Sequence, residues 1–136
     1  APVIASHSSA RALRDHSRNL DDEQLEWVKQ NGGVIQTVAL GSYLTDREDP
    51  PANIEDFINH IDYMVDKMGI DHVGISSDFD GGGGIDGWKD ASETKNVTSA
   101  LRNRGYSDEE IAKIWGGNLV RVFKEVQNVA ERIQAS

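Results

Sequence analysis

The feature that most constrains this chain is a β-branched, almost continuously apolar run from Val34 to Leu40. A run of this kind is typical of a strand covered on both faces, as in a parallel sheet flanked by helices. Two further strand-like runs, residues 1–7 and 72–76, are separated from it by segments of helical pattern. The order of strand, helix, strand, helix, strand and three final helices predicts an α/β fold with parallel strands and crossover helices.

Capping residues and glycines bound the predicted helices. Three of the predicted starts carry an Asp, Asn or Ser that can accept a hydrogen bond from a free backbone N–H, and glycines follow several predicted ends. The predicted helices run from Asp21 or Asp22 to Gln30, from Asn53 to about Met68, from near Val97 to Arg104, from Ser107 to a break at Gly116–Asn118, and from there to about Ile133.

Residues 1–7 read as a buried strand that begins at once, with no Met and no lead-in. A sheet of only three strands would leave two unpaired edges. We therefore expect residues 1–136 to be the C-terminal part of a single larger domain, a fragment or a processed chain. The most plausible larger fold is a TIM-type (β/α)8 barrel, of which this chain would supply about three β/α units.

Composition excludes several classes of function. The 14 Lys and Arg residues against 23 Asp and Glu residues give a formal charge of -9, which repels nucleic acid and anionic lipid. No apolar stretch approaches the roughly 20 residues that a membrane span needs. The absence of cysteine excludes disulfides, thiol nucleophiles and cysteine-based zinc sites. An enzyme acting on small molecules or a binding module remains.

Two polar residues follow predicted strands, where parallel α/β folds collect their functional groups. His7 follows the first strand, and Asp78 follows the third, with Asp80 close behind. Neutral imidazole is the commonest protein ligand of zinc, and a carboxylate can act as a ligand or as a general acid/base. From the residues alone, His7 can equally be a hydrogen-bonded structural residue, and the two aspartates can equally organise a turn.

The glycine run Gly81–Gly84 matches none of the usual glycine-rich motifs. It lacks the Lys-Ser/Thr of a P-loop, it does not open a strong helix as a dinucleotide fingerprint does, and Gly82 replaces an oxygen ligand of a calcium loop. A mobile loop covering a site is the better interpretation.

The His60 and Asp62 pair and Arg18 are other candidates for a site, but the residues alone favour a non-functional interpretation of each. His60 and Asp62 are spaced like a metal-binding pair, but neighbours two apart on a helix point in different directions. Arg18, judged by charge alone, is a solvated surface group.

Four segments occur in one order along the chain: P-V-I-A-S-H-S-S-A-R at residues 2–11, H-V-G-I-S-S-D-F-D-G at 72–81, R-G-Y-S at 104–107 and G-G-N at 116–118. Together they resemble the C-terminal third of the membrane (renal) dipeptidase family, the zinc dipeptidases of peptidase family M19. The resemblance spans essentially all 136 residues. The glycine run followed by G-W-K-D at residues 87–90 is similar to bacterial members.

This resemblance implies a barrel of the metal-dependent amidohydrolase kind that hydrolyses the peptide bond of dipeptides with two zinc ions per complete site. By motif, His7 would be a ligand of one zinc. Arg18 would bind the carboxylate of the dipeptide, a task suited to a guanidinium. Asp78 would be the acid/base that handles the proton of the leaving amine, and Tyr43 would line the substrate pocket.

The family's H-x-D pair, bridging Glu and second zinc-binding His lie before the segment that this chain resembles. One histidine cannot hold two zinc ions, so we expect the chain alone to be inactive. The expected partners are a dipeptide and the complementary N-terminal part of the enzyme, possibly as a separate chain, and the complete enzyme could form a homo-oligomer. The expected location is a soluble one in the bacterial cytoplasm.

Two alternatives stay open. The chain could be a stand-alone α/β module that binds a small anion at the glycine run, in which case it should fold and bind without zinc. It could also belong to a metal-dependent amidohydrolase with a different substrate, such as a lactam or another amide.

Overall fold

The computed structural model, which describes residues 1–136, contains one three-stranded parallel sheet. Its strands are β1 (Ile4–Ala5), β2 (Val34–Val38) and β3 (Val73–Ser76), in the spatial order β1-β2-β3. Ile4 is in register with Val34 and Ile35 with Val73. The predicted α/β class and parallel strands are confirmed.

Six α-helices accompany the sheet: α1 (Asp22–Asn31), α2 (Gly41–Leu44), α3 (Ile54–Met68), α4 (Thr94–Asn103), α5 (Asp108–Ala112) and α6 (Asn118–Ala135). Two single turns of 3-10 helix, Ile70–His72 and Ala91–Glu93, and one π-helical turn, Lys113–Gly117, complete the regular structure. None of the helices combines the length and the apolar character needed to cross a bilayer.

The predicted helix starts are confirmed by their caps. Asp21, Asn53 and Ser107 each accept a hydrogen bond from the backbone N–H three residues later, at 2.9, 3.1 and 3.1 Å, and the side chain of that later residue bonds back to the cap. Each capping box satisfies two of the backbone donors that a helix start leaves free. Gly32 ends α1 in the left-handed conformation, at φ 80°.

The core lies between one face of the sheet and the helices α3, α4 and α5. Alternate residues of each strand point to this face, and the apolar stripe of α3 packs on it. Trp88, from the long loop after β3, packs against Phe57 with ring centroids 5.7 Å apart and meets Trp115 edge to face at 5.9 Å. The main buried residues are Ile35, Val73, Ile75, Phe57, Ile61, Met64, Val97, Leu101 and Ile111.

The prediction of a buried first strand is wrong. Strand β1 is only two residues long, and Val3 and Ile4 remain 54% and 46% exposed. The physical reason is that β1 pairs with β2 alone and has no neighbour along its other edge. An apolar strand pattern predicts burial only when something covers the strand, and within these residues nothing does.

The predicted break at Gly116–Asn118 is also wrong. The chain passes from α5 through the π-helical turn directly into α6, because neither Gly116 nor Gly117 adopts a positive φ that would end the helix. Asn118 is 2% exposed, and its side-chain amide donates to the carbonyl oxygens of Ile70 and Val73 at 2.6 and 2.9 Å. This segment therefore fastens the long helix to the start of β3.

The segment R-G-Y-S ties α4 and α5 to α3. The Arg104 guanidinium binds Glu55 and Asn59 at 2.7 and 2.8 Å and also binds Asp62. The hydroxyl of Tyr106 donates to the other carboxylate oxygen of Asp62 at 2.7 Å. Asp62 is therefore a structural residue, as its position on a helix predicts.

Candidate functional site

The residues singled out by sequence follow the carboxyl ends of all three strands. His7 comes two residues after β1, Asp78 comes two residues after β3, and Tyr43 lies in α2, which follows β2. Because the strands are parallel, these ends meet at one edge of the sheet. His7 and Asp78 are separated by the width of one strand, β2, which puts their strands about 10 Å apart.

His7 has one ring nitrogen engaged and one free. Its ring is partly buried, and Nδ1 is hydrogen-bonded to Ser6 Oγ at 2.7 Å. Nε2 makes no hydrogen bond within the chain. The backbone beside it is held to the sheet, since Ser8 N donates to the carbonyl oxygen of Gln36 at 3.2 Å. An imidazole fixed through one nitrogen presents the other to a ligand.

Asp78 is wrapped by the glycine run. Its carbonyl oxygen accepts hydrogen bonds from the N–H groups of Gly81 and Gly83, both at 2.9 Å, and Gly84 N donates to the carbonyl oxygen of Ala39 at 3.3 Å. A side chain on Gly81 would collide with Asp78 Oδ1, and one on Gly83 would collide with the carbonyl oxygen of Ser77. Glycine is therefore required at positions 81 and 83 because there is no room for a side chain. The sequence pattern alone favours a different reason for the glycines, the mobility of the loop.

These contacts also weaken the hypothesis that the glycine run binds an anion. An anion cradle needs free backbone N–H groups, and those of Gly81, Gly83 and Gly84 are already donated to carbonyl oxygens. Asp78 and Asp80 both adopt the left-handed region, at φ 54° and 66°, so that the chain turns sharply there.

Arg18 lies in the turn that joins β1 to α1, together with Arg11 and Arg14. The guanidinium of Arg11 donates to the carbonyl oxygen of Ser17 at 3.2 Å, and that of Arg14 donates to the carbonyl oxygen of Asp15 at 3.0 Å. Arg18 is exposed, and its guanidinium has no ion pair or hydrogen bond within the chain. Of the three, Arg18 has the guanidinium that is free to bind a ligand.

From its position after the second strand, Tyr43 is expected to lie in a loop. The structure places it instead in the helical turn α2. It is only 7% exposed, and its ring stacks on that of His16 with centroids 4.1 Å apart. The Nδ1 atom of His16 in turn accepts a hydrogen bond from the backbone N–H of Arg18 at 3.1 Å. The structure thus brings Tyr43 and Arg18 together through His16.

Asn19 is a residue that sequence reasoning misses. It is fully buried, and its side chain joins three segments: Oδ1 accepts from Ser9 N at 3.0 Å, while Nδ2 donates to the carbonyl oxygens of Arg14 and Tyr43 at 3.0 and 2.8 Å. An asparagine in a polar turn carries no local signal of such a role.

His60 is a second buried side chain that links two segments by hydrogen bonds, and its contacts agree with the structural role expected of it. Its Nδ1 accepts from Ala10 N at 3.1 Å, and its Nε2 is hydrogen-bonded to the carbonyl oxygen of Leu44 at 3.0 Å. Burial lowers the pKa of His60 below its usual value. The ring therefore joins the segments after β1 and β2 as a neutral group.

No group of three or more His, Cys, Asp or Glu side chains converges anywhere in the chain. A catalytic zinc site takes three or more protein ligands. The donor set therefore fits the contribution of one ligand, His7, and does not by itself form a metal centre.

The whole chain, residues 1–136, matches the family model described as membrane dipeptidase (peptidase family M19). The chain belongs to the membrane dipeptidase family. The resemblance seen in the four sequence segments is thereby confirmed over its full extent.

Relatives in this family include dipeptidases from fungi. The chain is 42% identical over 131 residues to dipeptidase tcpJ of Claviceps purpurea, covering 96% of this chain and 31% of that protein. It is 42% identical over 136 residues to dipeptidase ataJ of Aspergillus terreus, covering 99% and 33%. The chain thus spans about a third of the length of these relatives.

Solved bacterial structures of the family share the fold. The probable dipeptidase PvdM of Pseudomonas aeruginosa superimposes with a TM-score of 0.90 at 40% identity, over 94% of this chain and 46% of that one. A metallopeptidase of Rhodobacter sphaeroides, crystallised with a phosphinate mimic of the dipeptide L-Ala-D-Ala, superimposes with a TM-score of 0.78 at 34% identity, over 88% and 34%. Relatives therefore come from fungi and bacteria, and the bacterial cytoplasmic location stays a prediction.

Proposed function

We propose that residues 1–136 are the C-terminal part of a zinc-dependent dipeptidase, forming about three β/α units of a single TIM-type barrel domain of the amidohydrolase kind. The observation that carries this proposal is the occurrence of His7, Tyr43 and Asp78 after three adjacent parallel strands, at the same edge of the sheet. Enzymes of this barrel type build their sites from the strand ends at that face. Membership of the membrane dipeptidase family supports the reaction class.

Each proposed role draws on the chemistry of a side chain in this chain. The free Nε2 of His7 suits one zinc ligand, and when zinc is bound it polarises the peptide carbonyl and activates water. The unpaired guanidinium of Arg18 suits bidentate binding of the dipeptide's terminal carboxylate. The carboxylate of Asp78 would accept a proton from the attacking water and then pass it to the leaving amine, and Tyr43 would border the pocket.

The preferred substrate class is a dipeptide with a free carboxyl terminus, including one with a D-residue at that end. The Rhodobacter sphaeroides relative was crystallised with a mimic of L-Ala-D-Ala, and Arg18 offers a cation for the carboxylate of such a molecule. A dipeptide whose carboxyl terminus is amidated would lack this interaction and should bind weakly.

We further propose that the active enzyme needs a complementary part, corresponding to the remaining two thirds of the relatives. The free edge of β1 carries exposed apolar residues, and a groove of about 400 Å³ between β1 and α1 is lined by Val3, Ile4, Ala5, Leu20, Trp27 and Val28 among others. A second groove, of about 480 Å³ between β1 and α6, also includes Ile4 and is lined by Phe123 and Val126.

Apolar surface of this extent is normally covered. The two grooves meet at Ile4, so a preceding strand and helix added beside β1 would fill both at once. Intact-mass measurement of the active material, with zinc determined on the same sample, tests this. A companion polypeptide or a longer chain with about two zinc ions supports the proposal, whereas an active, metal-free 15.0 kDa chain alone contradicts it.

The residue roles are tested by steady-state kinetics of the complete enzyme. Asp78→Asn should lower kcat by about 10²–10⁴-fold, the range of general acid–base catalysis, with little change in KM. Asp80→Asn is the matched control, because Asp80 also adopts a left-handed backbone conformation in the same loop but is exposed. Full turnover in Asp78→Asn would contradict the acid/base role.

Arg18→Ala should mainly raise KM, by about 10- to 100-fold, the worth of a hydrogen bond to a charged group. Its matched control is Arg102→Ala, which removes an exposed arginine paired with Asp108 on the far helices. Arg18→Ala should have no effect on an amidated dipeptide. An equal rise in KM for the free and the amidated dipeptide would mean that the substrate carboxylate does not bind to Arg18.

An amidohydrolase with another substrate is the second candidate. The observation that favours it is a Pseudomonas aeruginosa structure described as an amidohydrolase, which superimposes with a TM-score of 0.78 at 28% identity. Hydrolysis of lactams or amides that lack a free carboxylate, at rates above those for dipeptides, would select this function.

A further inference from the structure

The side chain of His16 has no part in the roles proposed so far, yet it lies between two residues that do. It belongs to the turn between β1 and α1, where its backbone N–H donates to the carbonyl oxygen of Arg14 at 2.8 Å and its carbonyl oxygen accepts from Asn19 N at 2.9 Å. These backbone bonds, together with the buried side chain of Asn19, hold the turn on both sides of Arg18, whereas the N–H of Arg18 itself has no backbone acceptor.

The ring makes one aromatic contact and one side-chain hydrogen bond, and both are with proposed substrate-binding residues. It stacks on Tyr43 at 4.1 Å between centroids, with the planes inclined by 32°. Its Nδ1 accepts the backbone N–H of Arg18 at 3.1 Å. Since Nδ1 accepts a hydrogen bond in this arrangement, that nitrogen carries no proton.

We propose that His16 is a positioning residue for binding of the dipeptide carboxylate. The guanidinium of Arg18 has no partner within the chain, so its direction depends on how its backbone is held. The imidazole fixes that backbone and at the same time packs against the ring of Tyr43. The inference rests on the proposed function, because Arg18 and Tyr43 take their roles from it.

The physical argument concerns geometry. Bidentate binding of a carboxylate by a planar guanidinium tolerates only small errors of angle and distance. Loss of the Nδ1 bond would let the Arg18 peptide rotate, and loss of the ring would release Tyr43. Each change weakens the binding of a substrate carboxylate and leaves the proton transfer at Asp78 intact.

Two variants of the complete enzyme separate the two contacts. His16→Phe keeps an aromatic ring on Tyr43 and removes the acceptor, while His16→Asn keeps a short-chain acceptor and removes the ring. We expect His16→Phe to raise KM for a free dipeptide about tenfold, the worth of one good hydrogen bond, with kcat changed less than twofold. His16→Asn should recover part of that loss.

The same variants should leave the KM for an amidated dipeptide unchanged. His72→Phe is the control. This variant also removes a hydrogen bond of an imidazole, the one between His72 Nδ1 and the carbonyl oxygen of Gly33, but His72 lies at the opposite edge of the sheet from the candidate site. Thermal melting should shift equally in His16→Phe and His72→Phe.

A double-mutant cycle distinguishes positioning from a general structural role. In the Arg18→Ala background, His16→Phe should cause no further rise in KM, since the group that it positions is gone. A rise that multiplies with that of Arg18→Ala, or a fall in kcat at constant KM, overturns the inference. An Arg18→Ala variant with unchanged KM would instead defeat the proposed function itself.

Discussion

Replacement of Asn19 by alanine is the sharpest test of how the candidate site is held together. The fully buried side chain of Asn19 satisfies the N–H of Ser9 and the carbonyl oxygens of Arg14 and Tyr43. Its bonds to Ser9 and Tyr43 are buried, whereas its bond to Arg14 is only partly buried. Asn19→Ala therefore leaves two backbone groups without a partner and without access to water.

Each such group costs about 1–3 kcal/mol, so the expected loss is about 4 kcal/mol of unfolding free energy. That is a large part of the roughly 5–15 kcal/mol that stabilises a typical domain. Asn19→Asp keeps the acceptor for Ser9 N but sets a carboxylate against two carbonyl oxygens, and it should cost at least as much. Asn128→Ala, on the exposed face of α6, should change stability by less than about 0.5 kcal/mol.

Urea unfolding followed by tryptophan fluorescence measures these differences, since the chain has three tryptophans. The slope of the unfolding free energy against urea should be similar in parent and variants, so that midpoints can be compared directly. A loss below about 1 kcal/mol for Asn19→Ala would refute the reasoning. It would mean that the turn carrying Arg18 is held by its backbone alone.

Three further predictions concern the surroundings of the site. Because burial lowers the pKa of His60, the unfolded chain binds a proton near pH 6.5 that the folded chain does not. Stability should therefore fall as the pH drops below 6.5, by up to about 1.4 kcal/mol per pH unit, and urea titrations of His60→Gln should lack this slope. Gly83→Ala should lose at least about 2 kcal/mol, since its Cβ would meet the backbone at Ser77. Gly116→Ala has open space and should gain up to about 1 kcal/mol; equal effects of the two glycine variants on the melting temperature would contradict the packing argument. Burial and the bond to Asp62 raise the pKa of Tyr106, so Tyr106→Phe should cost about 1–2 kcal/mol in urea unfolding and remove a tyrosine that ionises above the usual pH in an absorbance titration.

Much of the fold follows from local pattern. The caps at Asp21, Asn53 and Ser107 and the apolar stripe of α3 are encoded within a few residues, and each prediction made from them agrees with the structure. Strand β2 is recognisable because it is buried on both faces and its sequence is largely apolar. The order of elements then required parallel strands, which put His7 and Asp78 at one edge.

The predictions that failed have a common physical cause. In each case the local structure depends on residues that are distant in the sequence. The exposure of Ile4 is decided by the missing neighbour of β1 and not by its own sequence. The helix continues through Gly116 and Gly117, and the contacts of Asn118 that hold it there are with the carbonyl oxygens of Ile70 and Val73, far away in the sequence. The stacking of His16 on Tyr43 joins residues 27 positions apart, counted as 43 minus 16, and no periodicity reveals it.

The backbone of Asp78 has a consequence for the evolution of this protein. A non-glycine residue at φ 54° is held in a conformation that glycine adopts more readily. Asp78→Gly would relieve that strain and remove the carboxylate to which we assign the proton transfer. A laboratory selection for heat resistance alone would then favour loss of the aspartate, and its persistence in a natural population would require continuing selection for turnover. The left-handed turn after β3 would thus record a compromise in which activity is retained at the expense of conformational stability.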